Sequence, residues 1–98
     1  MTKKDIVLRI TDATGIKQVD VKKVVQKTFD SIIGSLVRNE KVELRNFGVF
    51  EVKVRKSRKG RNPNKPQDEV IIPERAVVKF RAGKELKEQV EKLNTKKL

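Results

Sequence analysis

The sequence predicts an α+β fold, and three observations carry that prediction. Apolar residues recur at helical spacing up to about residue 38, alternate with polar residues from Val42 onward, and give way between the strands to a run of cations. The first helix opens at Thr2, whose hydroxyl and the Asp5 carboxylate three residues on make a capping box. Ile6, Ile10 and Ala13 then form its stripe, and Gly15 closes it. In the second helix Val21, Val25, Phe29, Ile32 and Leu36 fall at intervals of four, four, three and four, with Lys22, Lys23, Gln26, Lys27 and Asp30 between them. Two helices joined by a short Gly-bearing turn make a helical hairpin, or a helix-turn-helix look-alike. These stripes are the material of a core and are assigned no ligand.

Beyond Asn39 the period falls to two. Val42 and Leu44 alternate with Lys41, Glu43 and Arg45, and Phe50, Val52 and Val54 with Glu51, Lys53 and Arg55. Asn46-Phe47-Gly48 supplies the turn, with Gly48 able to take a positive φ that a β-branched residue could not. A third strand is predicted from Val70 to Arg81, with Val78 and Phe80 on one face and Pro73 marking a bulge or an edge. Gly83 opens a short last helix carrying Leu86, Val90 and Leu93, and a frayed tail is expected at 94–98. The reading is thus one domain over 1–98: helical hairpin at about 1–38, sheet at 41–82 with an arm at about 55–72, and C-terminal helix at 83–93.

Composition narrows the chemistry. Ninety-eight residues with 36% apolar content and four Phe allow only a small core, so a partner subunit is expected to complete it. The helical stripe and the strand face together exceed what one such subunit can cover. Without Cys or His, the chain has no disulfide, no thiolate metal site and no histidine base. The acids Asp5, Asp12, Asp20 and Asp30 show no metal-loop spacing, so no metal, no cofactor, no small-molecule substrate and no enzyme activity are expected. No apolar run approaches the roughly 18 residues that cross a bilayer, and Met1-Thr2-Lys3-Lys4 leads into an amphipathic pattern, so a cytoplasmic protein is expected. The net charge of +12 points instead to a polyanion.

That charge is localised. Between Lys53 and Pro66 lie Lys53, Arg55, Lys56, Arg58, Lys59, Arg61 and Lys65 with no acid, so fourteen residues hold seven of the twelve net charges. The alternation that buries Phe50, Val52 and Val54 would next bury Lys56 and Arg58, so the strand must leave the body near Arg55. Val70 to Ile72 brings it back. Limbs of about eight residues reach ~25 Å at ~3.3 Å per residue, and a two-stranded ribbon of that size fits a DNA groove. At the tip, Gly60-Arg61-Asn62-Pro63-Asn64-Lys65-Pro66 is ordinary turn chemistry when taken alone. At the end of a basic ribbon it reads differently: Pro63 is a compact apolar wedge for a base step, and Arg61 and Asn62 reach minor-groove acceptors.

Four segments carry a family resemblance: Met1-Thr2-Lys3-Lys4-Asp5-Ile6, Leu44-Arg45-Asn46-Phe47-Gly48-Val49-Phe50, Gly60-Arg61-Asn62-Pro63, and Val78-Lys79-Phe80-Arg81-Ala82-Gly83-Lys84-Glu85-Leu86-Lys87. Over roughly residues 2 to 92 the chain resembles the HU/integration host factor group of bacterial histone-like nucleoid proteins. The resemblance implies an intertwined dimer with a helical base and a saddle of three-stranded sheets, whose two arms wrap the minor groove of double-stranded DNA with Pro63 intercalated, the mode for which this family is known. It implies arm contacts by Arg55, Arg58, Lys59, Arg61 and Asn62, with Arg75 on the returning limb and Lys3 and Lys84 at flanking phosphates. It also implies a nucleoid-associated, largely non-sequence-specific bender acting as a homodimer, or as a heterodimer with a paralogue. Lys65-Pro66-Gln67 departs from the pattern, where family arms turn through Gly, as does Asn46, where Gly is frequent. Two other readings stand beside this one: a sequence-preferring bender of the integration host factor kind, and an RNA- or ribosome-associated basic protein.

Overall fold

A chain that opens Thr-Lys-Lys-Asp has its first helix decided by local chemistry. In the computed structural model, which describes residues 1–62 and 65–98, with positions 58, 59, 61, 62 and 65–70 described by backbone alone, α1 spans Lys3–Thr14. The Asp5 amide donates to Thr2 Oγ1 at 3.3 Å and the Thr2 amide to Asp5 Oδ2 at 2.9 Å, closing the capping box. Gly15 ends the helix at φ 72°, its amide donating to the Thr11 carbonyl. α2 spans Gln18–Val37.

The chain divides into two compact units, Met1–Arg38 and Asn39–Leu98. In the first, Val7, Val21 and Val25 are buried, with Ile6 and Ile10 packed against them. The expected stripe of α1 is therefore corrected by one position: Val7 takes the central place and Ala13 is exposed. Ile6, Val7 and Ile10 lie within one turn of the same face, and Val7 brings more apolar surface to it than Ala13 could. Along α2 the stripe is buried at Val21 and Val25 and half-buried at Ile32 and Leu36, and its exposed member is Phe29, with Ile33 and Val37 beside the stripe. Phe29 is 37% exposed, and Ile33 and Val37 stand open.

In the second unit β1 (Val42–Leu44), β2 (Gly48–Arg55) and β5 (Arg75–Ala82) form an antiparallel sheet in the order β1-β2-β5, and β3 (Arg58–Asn62) and β4 (Lys65–Ile72) form a separate two-stranded ribbon. The expected strand from Val70 to Arg81 is thus two strands. Pro73 has no N–H to give a ladder, and with Glu74 it interrupts the pairing rather than bulging it. Phe50 faces Phe80, Val52 faces Val78 and Val54 faces Ala76, so one side of the sheet is apolar from end to end. Among the described residues that side stands open, with Val54, Val78 and Phe80 62%, 59% and 41% exposed.

The turn into β2 also differs from expectation. Asn46, not Gly48, holds the left-handed conformation, at φ 66°. Asn tolerates that region because its short amide bonds to nearby backbone, which is how it stands where Gly is frequent in the family pattern. Gly48 is needed for closeness instead: a Cβ there would lie 2.5 Å from Phe80 Cε1 and 2.6 Å from the Arg81 carbonyl oxygen. Past β5, the Gly83 amide donates to the Phe47 carbonyl at 2.8 Å and Gly83 caps α3, Lys84–Glu91. The tail expected to fray holds a 3-10 turn at Thr95–Lys97, where Asn94 Oδ1 accepts from the Lys96 amide at 3.0 Å.

Candidate nucleic-acid interface

The side of the sheet opposite the phenylalanines is built by the same alternation, and it is charged. Glu51, Lys53 and Arg55 on β2 share it with Arg75, Lys79 and Arg81 on β5. Glu51 organises its centre: its carboxylate takes Arg81 Nε at 3.1 Å and Lys53 Nζ at 3.8 Å, with the Glu51 side chain only 16% exposed. Sequence reasoning singled out Lys53 here but missed Glu51, Lys79 and Arg81. The signal was available, because the period of two that places Val78 and Phe80 on one face places Lys79 and Arg81 on the other.

Toward the arm the balance of charge is lost. The β2–β5 ladder ends at Arg55 opposite Arg75, and the strand leaves the sheet where the cation pattern requires. Arg55, Lys56 and Arg75 line a pocket of about 220 Å³ together with Ile72 and Pro73. Beyond it the ribbon pairs Arg58 with Ile72, Lys59 with Ile71, Gly60 with Val70 and Arg61 with Glu69, and a register irregularity falls between Arg61 and Asn62. Such a bulge strengthens local twist.

The structure therefore brings Lys53, Arg55, Lys56 and Arg75 together on one sheet and the root of its arm. It carries the backbone of Arg58, Lys59, Arg61, Asn62 and Lys65 outward on the ribbon, whereas the side chains of these five and all of Pro63 lie outside the described residues. Lys84 is exposed at the first position of α3. Lys3 belongs to the other unit, where its ammonium donates to Gln26 Oε1 and Gln26 Nε2 donates to Asp30 Oδ1 at 2.9 Å, a chain that fixes Lys3 over α2.

The rings of Phe47, Phe50 and Phe80 are occupied with one another, at centroid separations of 4.7 Å for Phe50–Phe80, 5.5 Å for Phe47–Phe80 and 6.5 Å for Phe47–Phe50. Among the described residues no group of His, Cys, Asp or Glu could hold a metal ion, and no helix is long and apolar enough to cross a membrane.

A family model described as bacterial DNA-binding protein matches residues 1–91. The chain belongs to this family. Among its relatives, the DNA-binding protein HU of Thermotoga maritima is 42% identical over 90 residues, covering 92% of this chain and 99% of the relative. The integration host factor subunit alpha of Marinobacter nauticus is also 42% identical, over 91 residues, 93% of this chain and 90% of the relative. Among solved structures, an Anabaena HU–DNA cocrystal matches with a TM-score of 0.86 at 31% identity, covering 95% of this chain and all of that one. HU from T. maritima matches at 0.65, also with 31% identity, over 92% of this chain and 98% of that one. Membership in this HU/integration host factor family makes the chain a non-enzymatic, architectural DNA-binding protein of α+β fold.

Proposed function

We propose that this bacterial DNA-binding family member works as a dimer that straddles double-stranded DNA, wraps its minor groove with two basic arms and bends it, largely without regard to sequence, compacting and organising the nucleoid in the cytoplasm. One observation carries the reading. The charged face of the sheet runs into a cationic arm root and from there into a ribbon with cations along its outward limb, a continuous track for a phosphate backbone. The likeness to an HU crystallised with DNA supports it. The chain as a whole, 1–98, would act as one module.

The uncovered apolar surfaces support the dimer. Val54, Val78 and Phe80 on the sheet, and Ile33 and Val37 on α2, are the kind of surface a second chain closes. Sedimentation at micromolar concentration should give a species of twice the chain mass, and a monomer would refute this part. A homodimer is the simplest assembly, with a paralogue as the other partner to test by coexpression.

Within the arm, Pro63 is the intercalating residue of this proposal, with Arg61 and Asn62 beside it in the groove. Pro63→Ala should reduce the bend angle, read by fluorescence energy transfer across a labelled duplex, more than it reduces affinity. Equal angles in the two proteins would remove the wedge role. Equal identity to HU and to integration host factor alpha gives no preference between broad and sequence-preferring binding, and selection from random duplex pools separates them. Mutual packing of Phe47, Phe50 and Phe80 disfavours the RNA reading, in which rings must be free to stack on bases. Competition between kinked duplex and structured RNA tests that directly.

A further inference from the structure

On α2 one apolar residue stands on a side that neither the buried core nor the proposed dimer surface uses. Val24 is 66% exposed, although Val21 and Val25 next to it are buried. It lies nine residues before Ile33, about two and a half turns, and so on the opposite side of the helix. Gln26, which holds Lys3, flanks Val25 on the other side from Val24. Between Val24 and the end of α1 opens an apolar hole of about 110 Å³, walled by Ile10, Ile16, Val21, Val24 and Val25 with Asp20 beside them. Val24 is also a wall of a shallower groove completed by Lys23, Lys27, Thr28 and Ser31. The hydroxyls of Thr28 and Ser31 donate to the Val24 and Lys27 carbonyls, each at 2.8 Å, so the free side-chain donors of that groove are two ammonium groups. Lys23 and Lys27 make no ion pair among the described residues. Asp20, the acid nearby, sits in the first turn of α2, where the helix N-terminus already favours its charge.

We infer that this face docks a second protein through an acidic amphipathic helix, which seats one aliphatic side chain in the hole and lays carboxylates on Lys23 and Lys27. A hole smaller than the ~150 Å³ that accommodates benzene suits a single leucine- or isoleucine-sized group. Lys23 and Lys27 are one turn apart, so acids one turn apart on a partner helix match them, and a helix in a groove presents its anchors at the same spacing. The backbone of DNA brings no aliphatic group to the hole, and a membrane takes a projecting apolar face where this one is concave. An acidic partner is repelled by DNA phosphates, so its site belongs on a flank of α2 away from Lys3, and Val24 stands on such a flank. The inference goes beyond DNA binding: it makes the protein an adaptor that holds an acidic protein beside the duplex it bends.

The test uses the full-length protein saturated with a short duplex, which occupies the cations of the arm, and a library of displayed helical peptides randomised at their exposed positions. Selected peptides should share one aliphatic anchor and two acids one turn apart. A synthetic copy of the commonest should shift the methyl signals of Ile10, Ile16, Val21 and Val25 to saturation in an NMR titration. Val24→Lys, and separately Lys23→Gln with Lys27→Gln, should each weaken that peptide by roughly tenfold or more, the loss typical of an interface anchor. Val19→Lys, at a valine 65% exposed on the same helix but not in the walls of the hole, should leave peptide affinity unchanged. All three variants should still saturate with duplex. An empty selection, selected peptides without acids, or a methyl response that survives Val24→Lys would overturn the docking site. Displacement of the peptide by further duplex would place it on the arm and overturn it equally. Binding to phosphatidylglycerol vesicles that Val24→Lys abolishes would make the face a membrane contact instead.

Discussion

Replacing Arg58, Lys59, Arg61 and Lys65 together by glutamine should lower the slope of log K against log[salt] by about 3 to 4 per arm, at roughly 0.9 for each phosphate contact removed. Over an about fourfold rise in salt, that difference corresponds to on the order of 100-fold in Kd for one arm, and more for a dimer with two. The expectation follows from where these residues are. The body of the protein already pairs part of its charge, as Glu51 does for Lys53 and Arg81, so its cations release fewer counterions on binding. The ribbon projects from a sheet that ends at Arg55 and Arg75, and four of the seven clustered cations belong to it. The measurement is a series of binding isotherms at several salt concentrations. A variant with the wild-type slope would mean that the phosphate contacts lie on the body, and the arm would lose its assigned role.

Gly48→Ala should destabilise the folded protein by about 1 to 3 kcal/mol, the range for a methyl group forced into a packed site. The added Cβ meets the edge of the Phe80 ring at 2.5 Å and the Arg81 carbonyl oxygen at 2.6 Å. The ring is held against Phe50 and Phe47, and the carbonyl belongs to the β2–β5 ladder, so neither neighbour yields without breaking another contact. Denaturant titration followed by circular dichroism reads the change directly. A midpoint equal to that of wild type would show that β2 and β5 can move apart at no cost.

Much of this molecule is legible in its sequence wherever a residue acts on its near neighbours. The capping box at Thr2 and Asp5 and the left-handed Gly15 follow from side chains and φ angles within one turn of helix. The period of two marks the strands, and a cation run that no core can accept marks the point near Arg55 where the chain must leave the sheet. The family could be recognised for the same reason, because short local motifs carry it.

The positions that were misread depend on residues far apart in the chain. Gly48 was assigned to backbone freedom, but its need arises from Phe80, thirty-two positions later, lying against it across the ladder. Val7 displaces Ala13 in the core because α2 packs on a slightly different strip of α1 than the spacing of apolar residues suggests. Glu51 is an ordinary polar position in the alternation until β5 brings Arg81 to it. By itself, then, the order of residues determined the element types, the charged ribbon and the family, since these rest on short-range sterics, periodicity and net charge. Tertiary structure alone decided which glycine is indispensable and which cations are neutralised among the described residues, because close approach and charge compensation exist only between groups that folding brings together.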